Sequence, residues 1–177
     1  MKKIVKSLLI GTFMLVSINA ATAQTYYKHS IGAVIGTIDG VSYKTFFTDN
    51  LALKADLGWG YPGVIQVNPN FMYQKNITSW DWGALDWNVG GGLSLGYSYW
   101  YGGWYNIGYG GGGKFGINAL GGLELPLTDI PLTFDFDFRP GYGMMFGGKN
   151  WTWINGSHTR SYFDWAITWG IRYYFPL

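Results

Sequence analysis

Between Phe163 and Phe175 the chain reads FDWAITWGIRYYF, and every odd position in this stretch is apolar or aromatic. The even positions are charged, small or polar, apart from Tyr174. Successive side chains of a β-strand point to opposite faces, so one face of this segment is apolar and the other carries Asp164 and Arg172. The pattern is typical of a strand with lipid on one side and a polar lumen on the other.

The same alternation recurs through the chain and predicts eight strands. Their approximate ranges are 27–37, 41–48, 51–61, 65–74, 87–99, 115–127, 132–144 and 163–175. Outward positions are apolar and inward positions polar or glycine, with Phe46 as an exception on the polar face. Most segments are near the roughly 9–11 residues with which a tilted strand crosses a membrane. The predicted fold class is therefore all-β, a transmembrane antiparallel up-and-down β-barrel of eight strands.

Residues 1–23 read as a cleavable signal peptide. Three lysines near the start are followed by the mainly apolar stretch Leu8–Val16 and by the small-x-small site Ala21-Thr22-Ala23. The apolar stretch is too short to span a bilayer as a helix. We therefore predict that the barrel domain comprises residues 24–177 and is exported.

Composition narrows the possible function classes. Loss of the three leader lysines would leave 9 of the 12 basic residues against 10 acidic ones, so a nucleic-acid partner is not expected. Charged residues are only 12% of the chain, against about a quarter in average proteins, which is too few for a typical soluble surface. With no cysteine and only two histidines, the chain lacks an evident ligand cluster, and we expect no metal or cofactor.

The predicted connections fall into two length classes. The segments 49–50 and 128–131 have the chemistry of tight turns on the periplasmic side, whereas 101–114 and 147–160 would be long outer loops. The connection 75–86 is the exception, since a periplasmic turn there should be short. Either it folds as an extra element or a strand boundary is misplaced.

Nine charged residues fall on inward positions. They are Lys44, Lys54, Asp56, Glu124, Asp135, Asp137, Arg139, Asp164 and Arg172. Buried charges persist only when they are paired, and an eight-stranded barrel is just wide enough for side chains to fill it. The near balance of signs favours a salt-bridge network that closes the lumen. The alternative is a selective conduit for ions or small solutes.

The outer loops hold the remaining candidate chemistry. His158, with Ser157 or Ser161 and Asp164, could be imagined as an acyl-transfer trio, although a polar loop containing a histidine by chance explains the spacing better. Trp151 and the other loop tryptophans fit an aromatic girdle, or alternatively an adhesive surface. The glycine runs lack the Lys-Ser/Thr pair of a phosphate loop. We assign no catalytic residue.

At its end the chain resembles the small eight-stranded outer-membrane β-barrel proteins of Gram-negative bacteria, with OmpX/OmpA-like architecture. Thr168, Gly170, Tyr173 and Phe175 match the polar-x-Gly-x-x-aromatic-x-aromatic assembly signal of that group, although Pro176-Leu177 follows the last aromatic residue. The resemblance implies an outer-membrane location, insertion by the barrel-insertion machinery, and contact with outer-membrane lipid and lipopolysaccharide. It transfers no catalytic residue.

These observations lead to an expected role and its rivals. We expect a monomeric barrel with a closed lumen and a structural or surface-interaction role through its outer loops. A narrow pore is the first rival, and a lipid A deacylase or acyltransferase is the second. A soluble β-sandwich or lipocalin-like binder would instead turn the apolar faces inward, and the glycine-rich polar faces make a poor exterior for such a protein.

Overall fold

A computed structural model describes residues 27–60, 64–98, 112–147 and 159–176. It contains eight strands: β1 (Tyr27–Gly36), β2 (Ile38–Phe46), β3 (Leu51–Gly60), β4 (Val64–Trp80), β5 (Gly83–Ser98), β6 (Gly112–Pro126), β7 (Leu132–Gly147) and β8 (Thr159–Pro176). Each strand pairs antiparallel with the next, and β8 pairs with β1 to close the barrel. The predicted eight-stranded up-and-down barrel is thus confirmed. No helix among the described residues is long and apolar enough to cross a membrane.

The strand registers fix the shape of the barrel. A path perpendicular to the strands passes through Val34, Gly40, Gly58, Gln66, Gly96, Lys114, Met145 and Arg160. Val34 pairs directly with Gly170 on β8, so the path closes with an offset of ten residues, from Arg160 to Gly170. A stagger of this kind accompanies a strand tilt of roughly 35–45°. Eight strands then enclose only enough space for side chains.

The two ends of the barrel differ. One end, called here the terminal end, holds Tyr27, the end of β8 and the connections 47–50, 81–82 and 127–131. The opposite, loop end holds the β1–β2 turn and the connections 61–63, 99–111 and 148–158, all three of which lie outside the described residues. The predicted signal peptide and His158 lie outside the described residues as well. Gly36 turns the chain into β2 with φ of 132°, which favours glycine.

The outer wall is apolar, as the alternation predicts. On β8, Phe163 is 71% exposed, and Trp165, Trp169, Ile171 and Tyr173 are also exposed. Large apolar side chains are exposed on the other seven strands in the same way. A soluble domain buries such residues. This barrel has the reverse arrangement, with apolar side chains outside and charged side chains inside.

The segment 75–86 corrects a predicted boundary. It is neither a loop nor a separate element, because β4 and β5 continue through it as a hairpin to the two-residue turn at Asp81 and Trp82. The β4–β5 register shifts between Asn76 and Thr78, so a bulge interrupts the alternation. Without an unbroken period of two, the extension could not be recognised from the sequence. The hairpin also docks on the neighbouring turn, since Thr128 N donates to Trp82 O at 3.0 Å.

Several other boundaries differ from the prediction, among them the starts of β6 and β8. β6 begins at Gly112, so Lys114 belongs to the barrel wall and not to the preceding loop. β8 begins at Thr159, four residues before the predicted start at Phe163. In both cases the strand continues through residues whose outward side chains are not consistently apolar. The alternation of polarity alone therefore underestimates the length of these strands.

Candidate functional site in the barrel interior

Eight of the nine predicted lumen residues are buried inside the barrel. They are Lys44, Lys54, Asp56, Glu124, Asp135, Asp137, Arg139 and Arg172. The ninth, Asp164, lies nearer the loop end with its side chain 38% exposed. Five of the eight strands contribute these side chains, because each strand presents alternate residues to the same narrow lumen.

The centre of the lumen is a cluster of four charged side chains. Lys54 Nζ lies 2.7 Å from Asp135 Oδ2 and 2.5 Å from Asp137 Oδ2. Arg172 forms a second ion pair with Asp135 through its other oxygen. Asp135 thus joins a cation from β3 to a cation from β8. The cluster ties together strands on opposite sides of the barrel.

Glu124 organises the part of the lumen toward the terminal end. Its Oε2 lies 2.5 Å from Lys44 Nζ and 3.0 Å from Arg172 Nη2. Its Oε1 accepts hydrogen bonds from the hydroxyls of Tyr27 and Thr133. This buried carboxylate therefore has two cationic and two neutral partners, as a charge in such a position requires.

Arg139 pairs with Asp56 toward the loop end. Its Nη1 lies 2.6 Å from Asp56 Oδ2, and its Nη2 donates to Thr168 Oγ1 at 2.7 Å. Arg139 and Asp56 come from β7 and β3, so this pair also bridges the lumen. Together with the central cluster, it fills the middle of the barrel with paired charge.

The last ion pair lies nearest to the loop end. Lys114 Nζ is 2.8 Å from Asp164 Oδ2 and donates to Gln66 Oε1 at 3.0 Å. The same ammonium lies 5.0 Å from the centre of the Tyr162 ring, within cation–π range. This pair is the most solvated of the lumen ion pairs among the described residues, because Asp164 is partly exposed.

Sequence reasoning missed two inward charges, Lys114 and Asp86. Both were assigned to connections, although each shares the inward parity of its strand. Asp86 is buried and has amide partners instead of a cation: Gln74 Nε2 donates to it at 2.7 Å and Asn76 Nδ2 at 2.9 Å. With these additions the described interior holds five cations and six carboxylates.

An apolar cluster closes the lumen at the terminal end. It consists of Tyr27, Phe46, Ala52, Met72, Leu120 and Tyr174. The Tyr27 ring stacks on Tyr174 with centroids 5.1 Å apart and meets the edge of Phe46 at 5.4 Å. Phe46 and Tyr174, which break the polar character of the inward face, are therefore part of this closure.

Two inward glycines leave space for the central carboxylates. A Cβ atom at Gly170 would collide with the carboxylate of Asp135. A Cβ atom at Gly122 would collide with Asp137 Oδ1. The crowding explains why glycine lies next to charge in these strands. Both residues also pair directly with the strand that carries the acid, Gly170 with Asp135 and Gly122 with Asp137.

The candidate acyl-transfer residues are not brought together in the described part of the chain. Ser161 is exposed on the outer face of β8, whereas Asp164 points inward to Lys114. His158 and Ser157 lie outside the described residues. His29 lies on the outer surface, where Nδ1 is 3.0 Å from both the Tyr43 and the Thr45 hydroxyl. The described residues contain no cluster of three or more metal-ligating side chains.

The residues that match the assembly signal lie along the middle and end of β8. Thr168 and Gly170 face the lumen and are buried, whereas Tyr173 and Phe175 face outward with 46% and 47% exposure. β8 closes the barrel against β1 along this stretch. The outward aromatics are thus available on the surface, and the inward positions belong to the charge network.

Comparisons with protein-family models, curated proteins and solved structures found no significant match.

Proposed function

We propose that this protein is an integral outer-membrane β-barrel of a Gram-negative bacterium with a closed, ion-paired lumen. Its role would be structural or surface-interacting, through the connections at the loop end. The observation that carries the proposal is the reversed polarity of the barrel. Large apolar side chains cover the outer wall, and paired charges fill the inside.

The outer wall supports the membrane part of the proposal. Monomeric soluble proteins rarely expose continuous apolar patches above a few hundred Å². Here exposed Ile, Leu, Phe, Trp and Tyr side chains surround the barrel on all eight strands. A lipid environment removes the cost of such a surface, and strands closed into a barrel leave no open sheet edge within it.

The interior supports the closed lumen. Lys44 and Lys54 cross the lumen to carboxylates on the opposite strands, and Arg172 pairs with Asp135 on the neighbouring strand. All three cations are at most 1% exposed. The aromatic contact between Tyr27 and Phe46 adds a second, apolar barrier at the terminal end. A hydrated ion would have to displace both layers to pass.

The partners of the protein would be lipids and the machinery that inserts it. A monomeric barrel in this membrane would contact lipopolysaccharide and phospholipid, and its β8 signal would be recognised by the barrel-insertion machinery. The loop end would face the outside of the cell. The proposal assigns the protein no catalysis, cofactor or nucleic-acid partner.

The first experiment separates membrane insertion from lumen closure. The chain from Gln24 to Leu177 would be refolded into lipid vesicles and tested for a heat-dependent gel shift and for co-flotation with the vesicles. The same sample would then be placed in a planar bilayer. We expect insertion and the absence of steady conductance. Failure to insert under conditions that fold a control barrel would contradict the membrane assignment.

A narrow pore is the second candidate, because polar side chains continue along the lumen. They run from Lys114 at the loop end through Arg139 and Lys54 to Asp86 at the terminal end. Steady conductance that changes in Asp135→Asn or Arg139→Gln would favour this candidate over the closed lumen.

The lipid A-modifying alternative has a direct test. Lipid A mass spectra from cells with and without the protein should be identical under our proposal. A new acylation state that disappears in His158→Ala would assign the protein an enzymatic role.

A further inference from the structure

A polar chamber lies inside the barrel between the Arg139–Asp56 ion pair and the Lys114–Asp164 ion pair. Its volume is ≈ 20 Å³, which is room for one or two water molecules. Gln66 and Asn68 on β4, Ser94 on β5 and Asn118 on β6 line one side. Ala166 on β8 lies on the other side. We call this space the loop-end chamber.

Four buried polar atoms around the loop-end chamber have neither a hydrogen-bond partner nor an ion-pair partner among the described residues. They are Asn68 Nδ2, Asn118 Oδ1, the Tyr162 hydroxyl and Arg139 Nε. Asn68 is only 2% exposed and Arg139 only 4%. An unpartnered polar group in an apolar medium costs roughly 1–3 kcal/mol on mutational scales, so natural proteins satisfy such groups with protein or water. The chamber offers both donors and acceptors to one small guest.

Glycine residues keep the chamber open. A Cβ atom at Gly116 would lie 2.9 Å from the Tyr162 hydroxyl and 3.1 Å from Tyr142 O. A Cβ atom at Gly141 would lie 3.0 Å from Ile117 O and 3.3 Å from Asn118 Cβ. Both glycines line the chamber, so a larger residue at either position would intrude on it.

We propose that the loop-end chamber is a water site at the bottom of a blind vestibule, which small polar solutes enter only from the loop end. Asp164, with its side chain 38% exposed, marks the entrance. Below the chamber, Asp56 and Lys54 are at most 1% exposed and belong to the ion-paired layer. The chamber is then hydrated, and the ion-paired layer below it blocks passage to the terminal end. This inference rests on the proposed closed barrel and adds a defined hydrated compartment to it.

The chain has no cysteine, so a single introduced thiol reports on water access at one position. Ser94→Cys places a thiol in the loop-end chamber. Ser42→Cys places one in the ion-paired layer, where Ser42 is 0% exposed and lies opposite Asp56 in the β2–β3 register. Each variant, folded in vesicles with one orientation, would be treated on either side with silver nitrate in chloride-free buffer, because the silver ion binds thiols and is about as small as a water molecule. Mass spectrometry would measure the labelled fraction. Ala166→Cys serves as a second chamber variant should Ser94→Cys fail to fold.

We expect Ser94→Cys to be labelled from the loop-end side only, and Ser42→Cys to be labelled only after the barrel is unfolded by heat. Adding Gly116→Ala to Ser94→Cys should abolish labelling of the folded barrel, because the new methyl group fills the chamber. Gly121→Ala is the matched control, since no atom lies within 4 Å of its added Cβ. That control should label as fast as Ser94→Cys alone.

The possible failures are distinguishable. If both chamber variants resist labelling in the folded barrel but label after heating, the vestibule is wrong and the closed lumen stands. If Ser42→Cys labels as fast as Ser94→Cys in the folded barrel, the lumen is hydrated throughout, which contradicts the closed lumen too. Labelling of Ser94→Cys from the terminal-end side would contradict a blind vestibule.

Discussion

At the scale of single residues, two of the lumen carboxylates each pair with two cations. Asp135 joins Lys54 to Arg172, and Glu124 joins Arg172 to Lys44. Removing Arg172 therefore leaves two acids short of a partner. Buried pairs of this kind are weak evidence for stability in themselves, but breaking one is expensive because a charge remains uncompensated.

Arg172→Met should destabilise the folded barrel by about 3–5 kcal/mol, because Glu124 and Asp135 lose a shared partner in a buried setting. The matched control is Lys114→Met. It breaks the partly exposed pair with Asp164 and should cost only about 0–1 kcal/mol. Urea-induced unfolding in vesicles, followed by tryptophan fluorescence, measures both. Equal losses in the two variants would contradict the difference in burial.

Gly170→Ala should destabilise the barrel by about 1–3 kcal/mol, the range typical of overpacking. The added methyl group collides with the Asp135 carboxylate and moves it away from Lys54 and Arg172. Gly121→Ala, with no atom within 4 Å of the new Cβ, is the control and should be close to neutral. The same unfolding assay compares the two variants. A Gly170→Ala barrel as stable as Gly121→Ala would show that the Asp135 carboxylate can move aside without cost.

At the scale of strands, the outer face predicts how a charge is tolerated. Val41 on β2 is 55% exposed and has the outward apolar residues Ala33 and Leu57 as cross-strand neighbours. Val41→Arg should cost about 2–4 kcal/mol in a bilayer if the position lies near its midplane. Val41→Ala is the control for loss of the side chain. Unfolding in vesicles gives the measurement, and a Val41→Arg variant as stable as Val41→Ala would argue that this face meets water.

The amide of Asn76 adds side-chain hydrogen bonds to the backbone ladder of the β4–β5 extension. Its Nδ2 donates to Thr78 O at 3.1 Å and to Asp86 Oδ1 at 2.9 Å, next to the bulge. Asn76→Leu should loosen the hairpin locally by about 1 kcal/mol and leave the rest of the barrel intact. Hydrogen exchange should then rise in 75–86 and stay unchanged in β7. A uniform increase throughout the barrel would instead mean that the extension is part of the global folding unit.

The strands also illustrate what the sequence can and cannot predict. The alternation along β8 and β7 is uninterrupted, so the number of strands and the face of each residue could be predicted from polarity alone. The β4 extension could not, because a bulge at Asn76 resets the period. The sequence also could not predict which charged residues pair with one another inside the lumen. That Lys54 meets Asp137 depends on the ten-residue stagger, which emerges only when all eight registers are combined.

At the scale of the whole molecule, the reversed polarity predicts a dependence on amphiphile. Dilution of the unfolded chain from urea into buffer should give aggregates, whereas dilution into detergent micelles should give a monodisperse barrel, because the apolar wall needs a covering. Light scattering distinguishes the two outcomes. A monodisperse folded protein without detergent would favour the soluble β-sandwich alternative and contradict the membrane barrel.

The unequal strand lengths have a consequence for the surrounding bilayer. β1 and β2 have 10 and 9 residues, and at the tilt of this barrel they span only about 20–25 Å along the barrel axis. β8 extends further toward the loop end, because it continues from Thr168, the partner of Gly36, to Thr159. A hydrocarbon layer is about 30 Å thick. Lipids beside the β1–β2 hairpin would therefore be compressed, and those beside β7 and β8 would not. Such a barrel would thin the bilayer around only part of its circumference, beside β1 and β2.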